Sequence, residues 1–145
     1  MFLGQYQLFL DDDGSLVIPK SFCGSFADGA YITRGFDHNL LIMSDRAFQE
    51  IYKRVIGLNI ADPLARLLLR LILGNASRMD ISESGHMLIP QALMSFASLG
   101  KDIILVGQGD YCEVWAPEHW DKQAINLLDF EANAIRFAQL DLALY

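Results

Sequence analysis

One six-residue phrase occurs twice in this chain. Gly14-Ser15-Leu16-Val17-Ile18-Pro19 returns as Gly85-His86-Met87-Leu88-Ile89-Pro90, 71 positions later. Past one inserted residue the match resumes at an offset of 72: Gly35-Phe36-Asp37-His38-Asn39-Leu40-Leu41-Ile42-Met43 parallels Gly107-Gln108-Gly109-Asp110-Tyr111-Cys112-Glu113-Val114-Trp115, and Phe48 parallels Trp120. A repeat of this kind means two copies of one supersecondary unit, neither of which buries its apolar face alone. The spacing predicts a first unit at 5–50, a helical connector at 51–76, a second unit at 77–122 and a C-terminal helix at 123–145.

Each unit reads the same way. Leu8–Leu10 and Ser77–Ile81 are expected as short strands, followed by the polar turns Asp11-Asp12-Asp13-Gly14 and Ser82-Glu83-Ser84-Gly85. Asp and Gly suit such turns because they bond locally to the backbone and tolerate positive φ. Leu16–Ile18 and Met87–Ile89 are expected as second strands that stop at Pro19 and Pro90, each proline opening a short helix, near 20–27 and 91–98. Hairpins follow, from Ala30–Thr33 and Leu40–Met43 and from Asp102–Val106 and Tyr111–Trp115.

Helices fill the remainder. Ser44 caps an expected helix from Asp45 to Ile56, and Asp62-Pro63 starts another through Leu73, closed by Gly74. The second is apolar almost all round, which predicts burial within the subunit or between subunits. Ala116-Pro117 opens a last helix expected to run toward the C-terminus. Leu127, Phe130, Ala134, Phe137, Asp141 and Leu144 form a heptad-like stripe on it, for packing on its own domain or for an oligomer seam.

Composition narrows the function. The chain has 145 residues, 52% of them apolar and 20% charged, enough for a core and too hydrophobic for intrinsic disorder. The greasiest stretch, Leu64–Leu73, is broken by Arg66 and Arg70 and is about half a membrane span. No secretory leader is visible at Met1-Phe2-Leu3-Gly4, so a cytoplasmic location is expected, to which the family resemblance given below adds nucleoid association. Net charge is -7; residues 1–72 carry 8 acids and 7 bases, residues 73–145 carry 10 and 4. That balance argues against a generic nucleic-acid binder, which presents a basic patch.

Catalysis has little to stand on. No nucleophile elbow, phosphate loop, zinc-protease or dinucleotide motif occurs, so no enzyme is expected. Asp11, Asp12 and Asp13 resemble the start of a calcium loop, but Phe22 stands where the twelfth-position carboxylate is required. Cys23 and Cys112, 89 positions apart, and His38, His86 and His119, widely spaced, suggest neither a disulfide nor a metal site, and no cofactor is expected. Arg66 and Arg70 lie one helical turn apart and could meet a carboxylate or phosphate; a salt bridge on the helix face is the commoner outcome.

Taken together, Met1-Phe2-Leu3-Gly4, Leu16-Val17-Ile18-Pro19, Thr33-Arg34-Gly35-Phe36-Asp37, Ala65-Arg66, Gly85 with Leu88-Ile89-Pro90, and Glu113-Val114-Trp115 with Trp120 resemble the MraZ family across essentially the whole chain. The resemblance implies an α+β fold of two pseudo-two-fold-related AbrB-like (SpoVT-AbrB) units with connecting and C-terminal helices. It further implies a homo-oligomeric ring and a transcriptional repressor of the division and cell-wall gene cluster, bound to double-stranded DNA at short direct repeats. In the family an Asp-x-x-x-Arg turn of each unit contacts DNA. The corresponding positions here are Asp11 and Ser15 in the first unit, and Ser82 and His86 in the second, which makes these four the candidate DNA-binding residues. Both arginines are therefore replaced, and Asp13 stands at a usual lysine position. An arginine brings charge to phosphate and a two-pronged donor to guanine, whereas serine offers one hydroxyl and an ordinary histidine is mostly neutral at pH 7. The alternative is a divergent ring-forming interaction protein with weakened DNA binding.

Overall fold

The two repeated strands lie side by side. In the computed structural model, which describes residues 1–141, β2 (Ser15–Val17) pairs antiparallel with β6 (His86–Leu88) as a two-stranded ribbon. The other strands make one six-stranded antiparallel sheet. These are β1 (Gln5–Phe9), β3 (Ala30–Arg34), β4 (Leu40–Ser44), β5 (Ser77–Met79), β7 (Asp102–Gly107) and β8 (Tyr111–Trp115), ordered β1-β7-β8-β4-β3-β5.

The order shows that the repeats exchange strands. First-unit β1 pairs with second-unit β7, and second-unit β5 pairs with first-unit β3. β4 and β8 meet at the centre. Each unit thus lacks a closed sheet of its own, and the apolar side chains of both form one continuous core. Leu16, Ile18, Phe22, Ile32 and Ile42 from the first unit pack there with Met87, Ile89, Leu93, Ile103 and Val114 from the second. Alternation on the ribbon accounts for this: Leu16 and Met87 point inward, and their neighbours point out.

Helices cover the flanks. Pro19 and Pro90 start α1 (Lys20–Cys23, continued by a 3₁₀ turn, Gly24–Phe26) and α4 (Gln91–Phe96), both shorter than expected. On the far face of the sheet, α2 (Asp45–Ile56) is capped by Ser44, whose hydroxyl accepts from the Ala47 N–H at 3.2 Å. Phe48 of α2 stacks on Tyr31 with ring centroids 4.0 Å apart. α3 (Pro63–Ile72) is tied to the sheet by the Thr33 hydroxyl, which donates to the Ile72 carbonyl at 2.7 Å.

Two expectations change. α3 buries only Ala65 and Ile72 in the subunit and leaves Leu64 and Leu67 exposed, so the all-round apolar helix is not a core helix of the monomer. The long C-terminal helix is two helices, α5 (Pro117–Leu127) and α6 (Phe130–Phe137). Asp129 breaks it: its carboxylate accepts from the Ala132 N–H at 3.2 Å, which starts a new helix rather than continuing the old one. The heptad stripe is cut at that point. Leu127, Phe130 and Phe137 are exposed, so they do not pack on their own domain, and Leu144 lies outside the described residues. Among the described residues, no helix is long and apolar enough to cross a membrane.

Candidate nucleic-acid interface

The two polar turns close in the same way. Asp11 and Gly14 bond as Asp11 N–H to Ser15 carbonyl (2.9 Å) and Gly14 N–H to Asp11 carbonyl (2.9 Å). Ser82 and Gly85 repeat the pattern at 3.1 and 2.9 Å. Gly14 and Gly85 take φ of 84° and 87°, the left-handed region that glycine enters without a Cβ penalty. Each glycine also rests on the opposite unit. The Ile89 N–H donates to the Gly14 carbonyl and the Ile18 N–H to the Gly85 carbonyl, both at 3.0 Å.

The side chains then differ. In the first turn the Ser15 hydroxyl donates to Asp11 Oδ2 and the Ser15 N–H to Asp13 Oδ1, both at 3.0 Å. That backbone N–H is the main reason the Asp13 carboxyl sits below its ordinary value. In the second turn the His86 N–H donates to Ser82 Oγ at 3.0 Å, Ser82 Oγ lies 3.0 Å from Ser84 Oγ, and Ser84 Oγ lies 3.1 Å from His86 Nδ1. The first turn is a carboxylate cage around a serine; the second is a neutral hydroxyl chain ending on an imidazole.

The ribbon brings all four candidate residues to one surface. Ser15 stands opposite Leu88 and Val17 opposite His86, so these four side chains make its outer face, with Asp11 and Ser82 in the turns at its ends. Val17 and Leu88 belong to this face although the repeated phrase that contains them gives them no site role; the two-residue period from Ser15 and His86 is the signal that finds them. No motif marks Arg78. It lines a groove together with Ser15 and His86 and brings a cation beside the ribbon. Asp11, Asp12, Asp13 and Glu83 are exposed around the turns.

Other candidates have different fates. Arg66 makes no salt bridge among the described residues; its Nη1 clamps the Ile60 and Ala61 carbonyls at 2.9 and 3.2 Å, ahead of α3. Cys112 is buried, and burial pushes its thiol up to about 12, so it is an inert core group. His38 and His119, 81 positions apart in sequence, come together with ring centroids at 5.1 Å. His38 also stacks on Phe96, and the Arg34 guanidinium lies 4.3 Å from the same Phe96 ring. Strand exchange creates this cluster, and sequence spacing could not reveal it.

The chain matches the family model described as "MraZ protein, putative antitoxin-like" twice, over residues 1–71 and 72–140. It is 38% identical over 139 residues to the transcriptional regulator MraZ of Roseiflexus sp. (strain RS-1), covering 96% of this chain and 95% of that protein. It is 35% identical to the protein of that name from Herpetosiphon aurantiacus, over 83% of this chain and 84% of the relative. With the Clostridium tetani protein of the same name it shares 28% identity over 98% of this chain and the relative's full length. Two matched units, exchanged through one sheet and joined at one ribbon, place the chain in the MraZ family.

Proposed function

We propose that this chain is a DNA-binding transcriptional regulator, acting as a repressor of the division and cell-wall gene cluster from a homo-oligomeric ring in the cytoplasm and nucleoid. The observation that carries this reading is the delivery of both turns, Asp11–Ser15 and Ser82–His86, to the ends of one ribbon in a chain whose full-length relatives are named transcriptional regulators. A two-stranded ribbon fits the major groove, and its pseudo-symmetric turns reach backbone on either side. Ser15 and His86 offer hydrogen-bond donors in place of fixed cations. Repetition of the ribbon around a ring lets weak contacts add when direct repeats match the subunit spacing.

A second reading has its own support. Neither turn carries a lysine or arginine, and four exposed carboxylates surround the ribbon. That charge opposes phosphate and favours a protein partner on the ring. The deciding experiment is a salt-dependent binding titration with the DNA upstream of the encoding gene. Specific binding that weakens linearly on a log–log salt plot supports the regulator; no specific binding at low salt gives the partner-binding reading the lead.

A further inference from the structure

Two of the four side chains on the outer face of the ribbon are apolar. Ser15 faces Leu88 and Val17 faces His86, so Val17 and Leu88 lie on one diagonal and Ser15 and His86 on the other. Each diagonal is also a repeat pair, since 71 positions separate Val17 from Leu88 as they do Ser15 from His86. Val17 is 45% and Leu88 60% exposed, whereas Leu16 and Met87 on the inner face are buried. Register holds the apolar pair at the surface: strands that bury Leu16 and Met87 must turn their neighbours outward.

The polar diagonal is engaged by its own turns. The Ser15 hydroxyl donates to Asp11 Oδ2 at 3.0 Å, and His86 Nδ1 lies 3.1 Å from Ser84 Oγ. Reading a base edge through either atom costs a bond already made. The methyl groups of Val17 and Leu88 have no such bond to give up. Charge points the same way. The carboxylates of Asp11, Asp12, Asp13 and Glu83 are exposed around the turns and oppose phosphate, but apolar contact with a base needs no cation. The apolar group that a base presents in the major groove is the C5-methyl of thymine, and aliphatic side chains pack on it.

We propose that Val17 and Leu88 determine sequence specificity by packing on thymine methyl groups in the major groove, one side chain from each unit. This inference rests on the DNA-binding reading above and deepens it, naming the base and the side chains that carry discrimination in a ribbon without arginine.

The test compares the DNA upstream of the encoding gene synthesised once with thymine and once with uracil in its place, so that the two duplexes differ only in C5-methyl groups. Titration of the full chain at low salt, with unrelated competitor DNA present, should show the uracil duplex bound at least about fourfold more weakly, the effect of one lost methyl contact. The log–log salt slope should be the same for both duplexes, because losing a methyl contact changes no counterion release. Val17→Ala and Leu88→Ala should each shrink the uracil penalty, and their combination should abolish it with the slope unchanged. Both side chains are exposed, and circular dichroism checks that the variants fold. Specific binding with equal affinity for the two duplexes overturns the inference and leaves the regulator reading intact. A uracil penalty that the double variant retains also overturns it, since the methyl groups would then act through other residues or through duplex shape. Absence of specific binding to either duplex defeats the regulator reading and this inference with it.

Discussion

Leu16 stands directly opposite Met87 in the ribbon, and Met87 is the residue 71 positions on that answers to Leu16 in the repeat. The sheet has a matching self-pair: Leu41 faces Glu113, its counterpart at the offset of 72. An approximate two-fold axis relating the units therefore passes through both pairs. Leu16 and Met87 are 1% and 2% exposed and plug the core from the same spot. Leu16→Ala and Met87→Ala should each cost about 2–5 kcal/mol. Because the two truncations open one shared cavity, the double variant should depart from additivity by more than about 0.5 kcal/mol in urea denaturation. Strict additivity would mean that the two side chains do not share a site.

Gly14 and Gly85 carry the turns through the left-handed region under tight packing. A Cβ on Gly14 would lie 2.9 Å from the Met94 methyl and 3.0 Å from the Ile89 carbonyl; on Gly85 it would lie 3.0 Å from the Ile18 carbonyl. Alanine at either should cost at least about 1 kcal/mol from backbone strain alone. Gly24 is the control, with φ of -60° and nothing within 4 Å of its built Cβ. Gly24→Ala should be neutral or stabilising by about 0.4–1 kcal/mol. Equal losses at Gly14 and Gly24 would refute the strain argument.

Much of this architecture is written in short-range signals. Ser44 ahead of Asp45 sets the start of α2, and the expected bounds Asp45–Ile56 coincide with the helix. Tyr111–Trp115 likewise coincides with β8. Strand partners are another matter, since alternation says which face is buried and nothing about which strand lies alongside. The pairing of Gln5–Phe9 with Asp102–Gly107 has no local signal, and the expected strand, Leu8–Leu10, overlaps β1 only at Leu8 and Phe9. Arg78 escapes for the same reason: its place beside the ribbon comes from a gap between strands that sequence neighbours do not show. The Asp129 cap is legible, but the apolar stripe running across it is the stronger pattern. The repeat reveals two like units and the family resemblance supplies the fold class, while the groove and the His38–His119 contact follow from strand exchange.

Burial holds the Cys112 thiol at about 12, with Glu113 adding to the rise, and Tyr111 is also raised, first by burial. In both cases the folded state resists ionisation more than the unfolded chain. The stability they contribute is therefore fully present below the ordinary cysteine value of 9.0 and is lost as pH climbs toward 12. Urea midpoints should fall steadily through this alkaline window, and Cys112→Ala should show a shallower decline. At pH 8 a thiol reagent should modify the native protein at Cys23 and leave Cys112 untouched until unfolding. Rapid native-state labelling of Cys23→Ser would contradict the burial argument.

The C-terminal helices give the assembly prediction its handle. Leu128, Phe130 and Ile135 are 70%, 76% and 73% exposed, and Leu64 and Leu67 of α3 are open as well. Apolar surface on this scale marks a protein contact. Light scattering at micromolar concentration should give a multiple of 16.3 kDa. Phe130→Glu with Ile135→Glu should lower that mass without unfolding the sheet, since neither side chain enters the core. A parent mass of one subunit would remove the ring.

Restoring the missing cations tests whether the ribbon faces DNA. Ser15 and His86 share its outer face, so Ser15→Arg with His86→Arg changes two points on one surface and leaves Leu16 and Met87 in place. If phosphates approach this face, each arginine adds about one contact and steepens the log–log salt slope by about 0.9. The double variant should therefore bind operator-like DNA more tightly at low salt and lose that advantage as salt rises. Asp11 and Asp13 bear on the size of the gain. Both already bond Ser15, so the guanidinium introduced by Ser15→Arg begins between carboxylates that can hold it away from phosphate. Adding Asp13→Lys, which reverses a charge at the same turn, should release it and raise affinity again. Unchanged binding in the triple variant at low salt would mean that phosphates never approach these turns. The proposed ring would then be an assembly whose ribbon meets protein instead of DNA.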